Sequence, residues 1–333
     1  MKILLFAGEK SGELYLNYLV SVLKNCPSVN LYIINKNIAP VGFSEGIKKL
    51  FLFLFYLKKI VKEIKNYQPD IFIPIGFSNF NLFLIKRIKN RKTKIIYFAP
   101  PQIWAWGKNR YKLLKKYVDK VICLFPFEKV FYEKVGIKAT YIGNPLLEIV
   151  KVNLEEDQIK KKYGIKDEKV IILMPGSRNE EIKRNLPSFL KIYEMLKKDF
   201  LIKAFILGIK ELNYQKFNFS NLPIIYEDHY ELISISDLVL TSFGTATLEI
   251  ALLNRPFIAL YFPSLLNSIL GKFLLRTKYL SLPNIILNKK IFPEYINPNL
   301  TEVYQKVKEI LNKNLDYSYY FQKIRYILTF KKI

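Results

Sequence analysis

Short apolar runs rich in β-branched and aromatic residues recur along the chain, and the stretches between them are long and periodic enough for a helix. Residues 2–6, 31–34, 70–75, 94–98 and 120–124 are such runs in the first half; 170–174, 203–207, 223–226, 238–242 and 256–261 are their counterparts in the second. Strands that alternate with helices predict α/β architecture, with parallel sheets covered on both faces. At 333 residues the chain is about twice the size of a usual domain, so the alternation implies two doubly wound, Rossmann-like parallel-sheet domains. A polar, charged stretch at 152–169 interrupts the pattern. We therefore expect an N-terminal domain over 1–160, a C-terminal domain over 161–299 and a basic helical tail over 300–333 that packs on the N-terminal domain or on a partner chain. Two such domains facing each other would place the carboxyl ends of both sheets around one cleft, where ligands bind.

Several classes are excluded. Half of the residues are apolar and 15% aromatic, which is incompatible with a disordered chain. The purely apolar run 50–57 falls well short of the roughly 20 residues that cross a bilayer, and the one at the N-terminus is too short for a signal peptide. Two cysteines, Cys26 and Cys123, lie far apart in no Cys-x-x-Cys pair, so a reducing cytosol fits better than a disulfide scaffold or a zinc site. The single histidine, His229, rules out a multi-histidine metal centre and reads as a polar loop residue. A net charge of +25 points to an anionic surface or polyanion, although a biased composition rich in Lys, Ile and Asn would produce the same number. The charges are spread along the chain with no nucleic-acid-binding signature, so a nucleic-acid partner is not expected.

Four segments could carry chemistry. At 240–249 a strand ends in a Gly/Thr turn and runs into a helix, which aims free N–H groups and a positive dipole end at one spot suited to phosphate. Gly244 would allow close approach, Thr245 and Thr247 would add hydroxyls, and Glu249 would accept bonds from ribose hydroxyls; a well-capped helix with Thr245 as cap is the plainer alternative. At 175–178, Pro-Gly-Ser-Arg closes another strand, and Arg178 could clamp a diphosphate or simply pair with Glu180 or Glu181. Ala7-Gly-Glu-Lys-Ser-Gly-Glu13 lacks Gly-x-Gly-x-x-Gly, and no P-loop occurs anywhere, which disfavours dehydrogenases and P-loop phosphotransferases. Its Glu9 is a candidate acid or base, or else a helix cap. In 47–64, Ile47, Leu50, Phe51, Leu54, Phe55, Val61 and Ile64 follow helical spacing, while Leu52, Phe53 and Tyr56 add apolar surface to the other side. Flanked by Lys48, Lys49, Lys58, Lys59 and Lys62, this helix is either a core element or one that lies on an anionic membrane or receives acyl chains.

Taken together, these segments resemble the lipid-A-disaccharide synthases, a family of membrane-associated inverting glycosyltransferases. The likeness covers most of the chain. It is carried by Ala7-Gly-Glu-Lys-Ser-Gly, Pro101-Gln-Ile-Trp-Ala-Trp-Gly-Lys-Asn-Arg110, Leu124-Phe-Pro-Phe-Glu-Lys, Ile142-Gly-Asn-Pro145, Pro175-Gly-Ser-Arg178 with Glu181, Gly244-Thr-Ala-Thr-Leu-Glu249, and Ser281-Leu-Pro-Asn-Ile285 followed by Pro293-Glu294. The resemblance implies a GT-B fold and transfer of 2,3-diacylglucosamine from its UDP conjugate to 2,3-diacylglucosamine 1-phosphate, giving a β-1,6-linked disaccharide and UDP. It implies no metal or other cofactor, a cytoplasmic enzyme peripheral to the inner face of the inner membrane, and raises a homodimer through the C-terminal helices. Carried over by residue, Arg178, Gly244, Thr245, Ala246 and Glu249 resemble the UDP-side residues, with Arg178 and Glu9 as catalytic candidates. Ser11, Gly12, Asn284 and Glu294 match cleft positions, and Leu50, Phe51, Leu54, Phe55, Lys58 and Lys59 would face membrane or acyl chains.

One departure stands out. Where the family shows Gly-Ile-Asp-x-Pro-Asp-Phe-Asn, with the first Asp suspected as general base, this chain reads Pro74-Ile-Gly-Phe-Ser-Asn-Phe-Asn81. Gly76 and Asn79 take no proton, so either Glu9 or another carboxylate serves, transfer proceeds with little base assistance, or the chain binds without normal turnover. A related transferase with another lipid acceptor is the second enzyme reading.

Overall fold

The structure, a computed structural model, describes residues 1–36, 46–88, 92–104, 110–212, 214, 222–263, 277–313 and 315–329, without the side chains of 46–50 and Ser78. All the expected runs form strands: β1 (Lys2–Ala7), β2 (Asn30–Asn35), β3 (Ile71–Ile75), β4 (Lys94–Phe98), β5 (Lys120–Cys123), β7 (Lys169–Met174), β8 (Ile202–Leu207), β9 (Ile224–Ile225), β10 (Leu238–Thr241) and β11 (Phe257–Tyr261). Two short edge strands, β6 (Ala139–Tyr141) and β12 (Glu294–Ile296), complete the sheets. Three residues are too few to show a period, so both owe their strand form to the neighbour they pair with.

The chain divides at Pro145/Leu146 into two units. In the first, six parallel strands run in the order β2-β1-β3-β4-β5-β6; in the second, β12-β11-β10-β7-β8-β9. Both are doubly wound, Rossmann-like α/β sheets. Strand order reverses beside β1 and β3 in the first unit and beside β7 and β10 in the second, so crossovers leave those strands toward opposite faces and open a crevice at their carboxyl ends.

Helices α1 (Lys10–Leu23), α2 (Gly46–Tyr67), α3 (Ser78–Arg87), α4 (Arg110–Tyr117) and α5 (Pro126–Lys134) cover the first sheet. Its core joins Leu4, Phe6 and Phe72 from the strands to Phe53, Leu57, Ile60 and Ile64 from α2 and to Phe80 and Ile85 from α3. Each such side chain contributes about 1.5–3 kcal/mol on full burial. Pro74 lies in β3, between two partners, where it cannot donate to a ladder. The ladder with β4 is accordingly interrupted at Ile73 and Pro74 but keeps its register, with Phe72↔Ile95 before the gap and Ile75↔Phe98 after it.

In the second unit α6 (Leu146–Ile149), α7 (Glu156–Tyr163), α8 (Asn179–Leu196), α9 (His229–Ser234), α10 (Thr245–Leu252) and α11 (Leu282–Leu287) surround the sheet. The charged stretch 152–169 thus carries a helix, α7, whose Ile159 is buried. The tail folds as α12 (Leu300–Lys313) and α13 (Ser318–Leu328). Val303, Val307 and Ile310 of α12 enter the second core beside Phe189 and Ile192 of α8. From α13, Phe321 stacks on Phe292 and Arg325 donates to Leu252 O. The tail then returns to the first unit through Leu328, whose carbonyl accepts from Asn144 N and Tyr141 Oη.

Candidate functional site

The crevice of the second unit is framed by the turns after β7 and β10. After β7, Gly176 has φ +140°, and a Cβ there would lie 2.6 Å from Glu181 Cβ. Glycine is required both by the backbone and by this close approach. It lets Glu181, in the first turn of α8, fold back: one carboxylate oxygen accepts from Ser177 N at 2.9 Å and the other from Arg178 Nη1 at 3.2 Å. Arg178 is the N-cap residue of α8, and its side chain is more than half exposed. The guanidinium is therefore presented at the crevice edge with a carboxylate holding one side of it.

After β10, Gly244 is the N-cap of α10 with φ +130°, and a Cβ built on it would meet none of the described residues within 4 Å. This glycine serves the backbone and leaves open space above it. No side chain among the described residues caps α10, so the positive end of the helix faces that space. The cap is Gly244 and not Thr245. Thr245 and Ala246 are half-buried in the first turn, whereas Thr247 is buried. The Thr247 hydroxyl donates to Gly244 O at 2.8 Å and accepts from Leu282 N at 3.3 Å, so it braces the turn and links it to α11.

Glu249 follows one turn along α10 and is half-buried; its Oε2 accepts from Tyr230 Oη at 3.2 Å. Loss of water around the carboxyl group pushes it up to about 7, partly offset by the tyrosine's bond. Nothing in the sequence marked Tyr230, because its partner lies nineteen positions away and only the packing of α9 beside α10 joins them. His229, at the start of the same helix, is half-buried with Nε2 3.0 Å from Ile225 O, and burial pushes its ring down from the usual range.

Asn284 and Glu294 are buried in a network that closes on itself. Asn284 Nδ2 donates to Phe292 O and to Glu294 Oε2, and its Oδ1 accepts from Ile291 N and Phe292 N. Glu294 Oε2 also accepts from Ser281 N at 2.9 Å and Ser281 Oγ at 2.8 Å. These side chains hold the Ser281–Leu282 turn at the start of α11, and Leu282 N in turn reaches Thr247. Their connection to the open turn is through the scaffold.

In the first unit the turns after β1 and β3 interlock. Gly8 must be glycine because a Cβ would fall 2.3 Å from the Phe77 ring, and one on Gly12 would come within 3.3 Å of Ile75 O. Ser11 is exposed in the first turn of α1. Gly76 and Phe77 both adopt left-handed backbone, φ +53° and +45°. Glu9, the N-cap residue of α1, reaches across so that Oε1 accepts from Phe77 N at 2.9 Å. A Cβ on residue 76 would lie only 3.2 Å from that same oxygen. The Glu9 carboxylate thus stands where a side chain at position 76 would begin. Beneath it the Gly76 carbonyl accepts from Asn81 Nδ2 and Tyr97 Oη, each at 2.7 Å. Asn79 is exposed on α3.

The α2 helix shows two faces. Phe53, Leu57, Ile60 and Ile64 are buried against the sheet, while Phe51, Leu52, Leu54 and Phe55 are exposed beside exposed Phe83 of α3. The spacing through Phe51, Leu54 and Phe55 therefore marks the outward face, and Phe53 belongs to the core. Lys58 and Lys59 are exposed next to it, and the side chain of Leu50 lies outside the described residues. Trp104 is held by Glu128, which buries its carboxyl among Trp104 Nε1, Leu124 N and Phe125 N; residues 105–109 of that motif lie outside the described ones. No described helix is long and apolar enough to cross a membrane.

A sequence model described as lipid-A-disaccharide synthetase matches residues 3–331. Lipid-A-disaccharide synthase 2 of Legionella pneumophila (strain Lens) is 31% identical over 326 residues, spanning 90% of this chain and 85% of its own. The lipid-A-disaccharide synthase of Persephonella marina is 32% identical, spanning 94% and 93%. Among solved structures, UDP-GlcNAc 2-epimerase from Neisseria meningitidis bound to UDP-GlcNAc superposes with a TM-score of 0.67 at 14% identity, covering 99% of this chain and 95% of that one. An S. aureus MnaA–UDP structure gives 0.68 at 15%, covering 98% and 91%. At such identities these two likenesses speak to the fold.

Proposed function

The chain belongs to the lipid-A-disaccharide synthetase family, and from that premise we propose that it is the UDP-dependent glycosyltransferase that joins two acylated glucosamines. The donor is UDP-2,3-diacylglucosamine and the acceptor 2,3-diacylglucosamine 1-phosphate. The acceptor 6-hydroxyl attacks the donor's anomeric carbon from the face opposite UDP. The bond from that carbon to the diphosphate oxygen breaks, and the product is a β-1,6-linked disaccharide 1-phosphate plus UDP.

The observation that carries the donor half is the open turn at Gly244, where an uncapped helix start faces free space at the strand-order reversal of the second sheet. Amides of Thr245 and Ala246 receive diphosphate oxygens there, Glu249 accepts from the ribose hydroxyls, and Arg178 neutralises charge on departing UDP. Glu9 takes the acceptor's proton. Support for that role comes from its place at the corresponding reversal of the first sheet, beside a residue 76 that has no side chain of its own. Ser11 and Gly12 line the same turn, while Asn284 and Glu294 act by bracing the donor turn. The outward apolar face of α2 with Lys58 and Lys59 seats the enzyme on an anionic bilayer, at the inner face of the inner membrane, where acyl chains of both substrates reside.

Purified protein on anionic vesicles containing both substrates should release UDP, and Arg178→Ala should lower kcat about 10²- to 10³-fold without loss of folding. A Phe51→Ser/Phe55→Ser variant should keep UDP affinity and lose vesicle binding. Normal turnover by Arg178→Ala would sink the assigned role, and no UDP release with these substrates would sink the reaction. A transferase with another lipid acceptor is the second reading, favoured by Gly76 and Asn79; UDP release with a different acylated sugar alone would select it.

A further inference from the structure

The donor turn includes a tyrosine that sequence and family likeness leave without a role. Tyr230 sits in the first turn of α9, half-buried, and donates its hydroxyl proton to Glu249 Oε2 at 3.2 Å. Among the described residues it is the one donor to that carboxyl group given by the structure. The contrast is Glu128 in the first unit, whose two oxygens receive three donors and which is thereby engaged entirely within the fold. Glu249 is left with unused hydrogen-bonding capacity and, among the described residues, with Tyr230 as its one donor.

We propose that Tyr230 is a positioning residue for donor binding: its hydrogen bond to Oε2 orients the Glu249 carboxyl group to accept from the ribose hydroxyls of the nucleoside diphosphate. The inference rests on the donor reading above. Its physical basis is that an ionised carboxylate accepts two hydroxyl protons at once, whereas the protonated acid has one oxygen fewer to offer and competes as a donor. Burial favours the protonated form of Glu249, and the Tyr230 hydroxyl opposes it. Elements packed around Glu249 bring few other charges: α9 carries His229 and Glu231, α6 carries Glu148, β11 carries Tyr261, α13 brings Arg325 to Leu252 O at the far end of α10, and neither β10 nor α11 contains a charged residue. Tyr230 is therefore the polar contact able to tip the balance.

Titration calorimetry with UDP, run between about pH 5.5 and about pH 8.5 on the full-length protein, tests this. Wild type should bind more weakly as pH falls through the Glu249 transition. Tyr230→Phe keeps the ring and so the packing, yet it should weaken UDP binding about three- to tenfold near neutrality and move the midpoint to higher pH. Glu249→Gln should bind weakly and keep only the pH dependence that comes from the terminal phosphate of UDP itself. If Tyr230→Phe matches wild type at every pH while Glu249→Gln has lost affinity, the role of Tyr230 is overturned and the donor reading stands. If Glu249→Gln binds UDP like wild type, or wild type binds none, the donor reading falls and takes the inference with it.

Discussion

In the first unit's crevice a methyl added at Gly8 would lie 2.3 Å from the Phe77 ring, whereas in the second unit's crevice one added at Gly244 would meet none of the described residues within 4 Å. Both glycines follow the strand at which the order of a six-stranded parallel sheet reverses, so the architecture poses the same problem twice. In the first unit the β1 turn, the β3 turn and Glu9 lock together at the crevice floor. In the second the described residues leave space above Gly244, and Thr247 and Glu181 brace the turns. A glycine after a strand thus has two physical meanings, close packing of chain on chain or room for a ligand, and only the surrounding atoms distinguish them.

The sharpest way to break this comparison is Glu9→Gln. A glutamine still accepts from Phe77 N, so the interlock survives while the proton acceptor is lost; kcat should fall about 10²- to 10⁴-fold with UDP affinity unchanged. A kcat within twofold of wild type would mean that the first crevice is scaffold alone. Next in size, Gly8→Ala should cost about 1–3 kcal/mol of stability, read as a lowered denaturation midpoint, because the Phe77 ring must move. Gly244→Ala should instead cost mainly UDP affinity, together with the strain of φ +130°. Equal stability losses with equal UDP affinity in the two variants would erase the distinction between packed and open crevice. The smallest effect belongs to Glu181→Ala, which removes one partner of an exposed Arg178, a pair worth about 0–1 kcal/mol; folding should be unaffected and UDP affinity should change less than tenfold.

How much of this was legible beforehand differs by element. The strands could be read because a buried parallel strand needs a run of β-branched and aromatic residues whatever surrounds it. The α2 helix could be placed but not turned: with apolar residues nearly all round, the spacing through Phe51 and Leu54 looked as much like a core stripe as the true one through Phe53, Leu57 and Ile60. The turn residues Gly244, Arg178 and Glu9 were visible as strand-to-helix junctions. Asn284 and Glu294 were visible only as polar residues in a motif, and only the structure shows them buried and bonded to each other and Ser281. Tyr230 had no local signal at all.

By itself the amino-acid sequence determined that the chain folds as two parallel α/β sheets and that the helices after β1, β7 and β10 start on glycine turns, because strand composition, helical period and turn chemistry are local properties written within a few residues. Its motifs also determined the family. Which crevice is packed and which is open, which face of α2 looks outward, and which side chain holds Glu249 were decided by tertiary structure alone. Those outcomes depend on distances of a few ångströms between residues tens of positions apart, and no local pattern encodes such a distance.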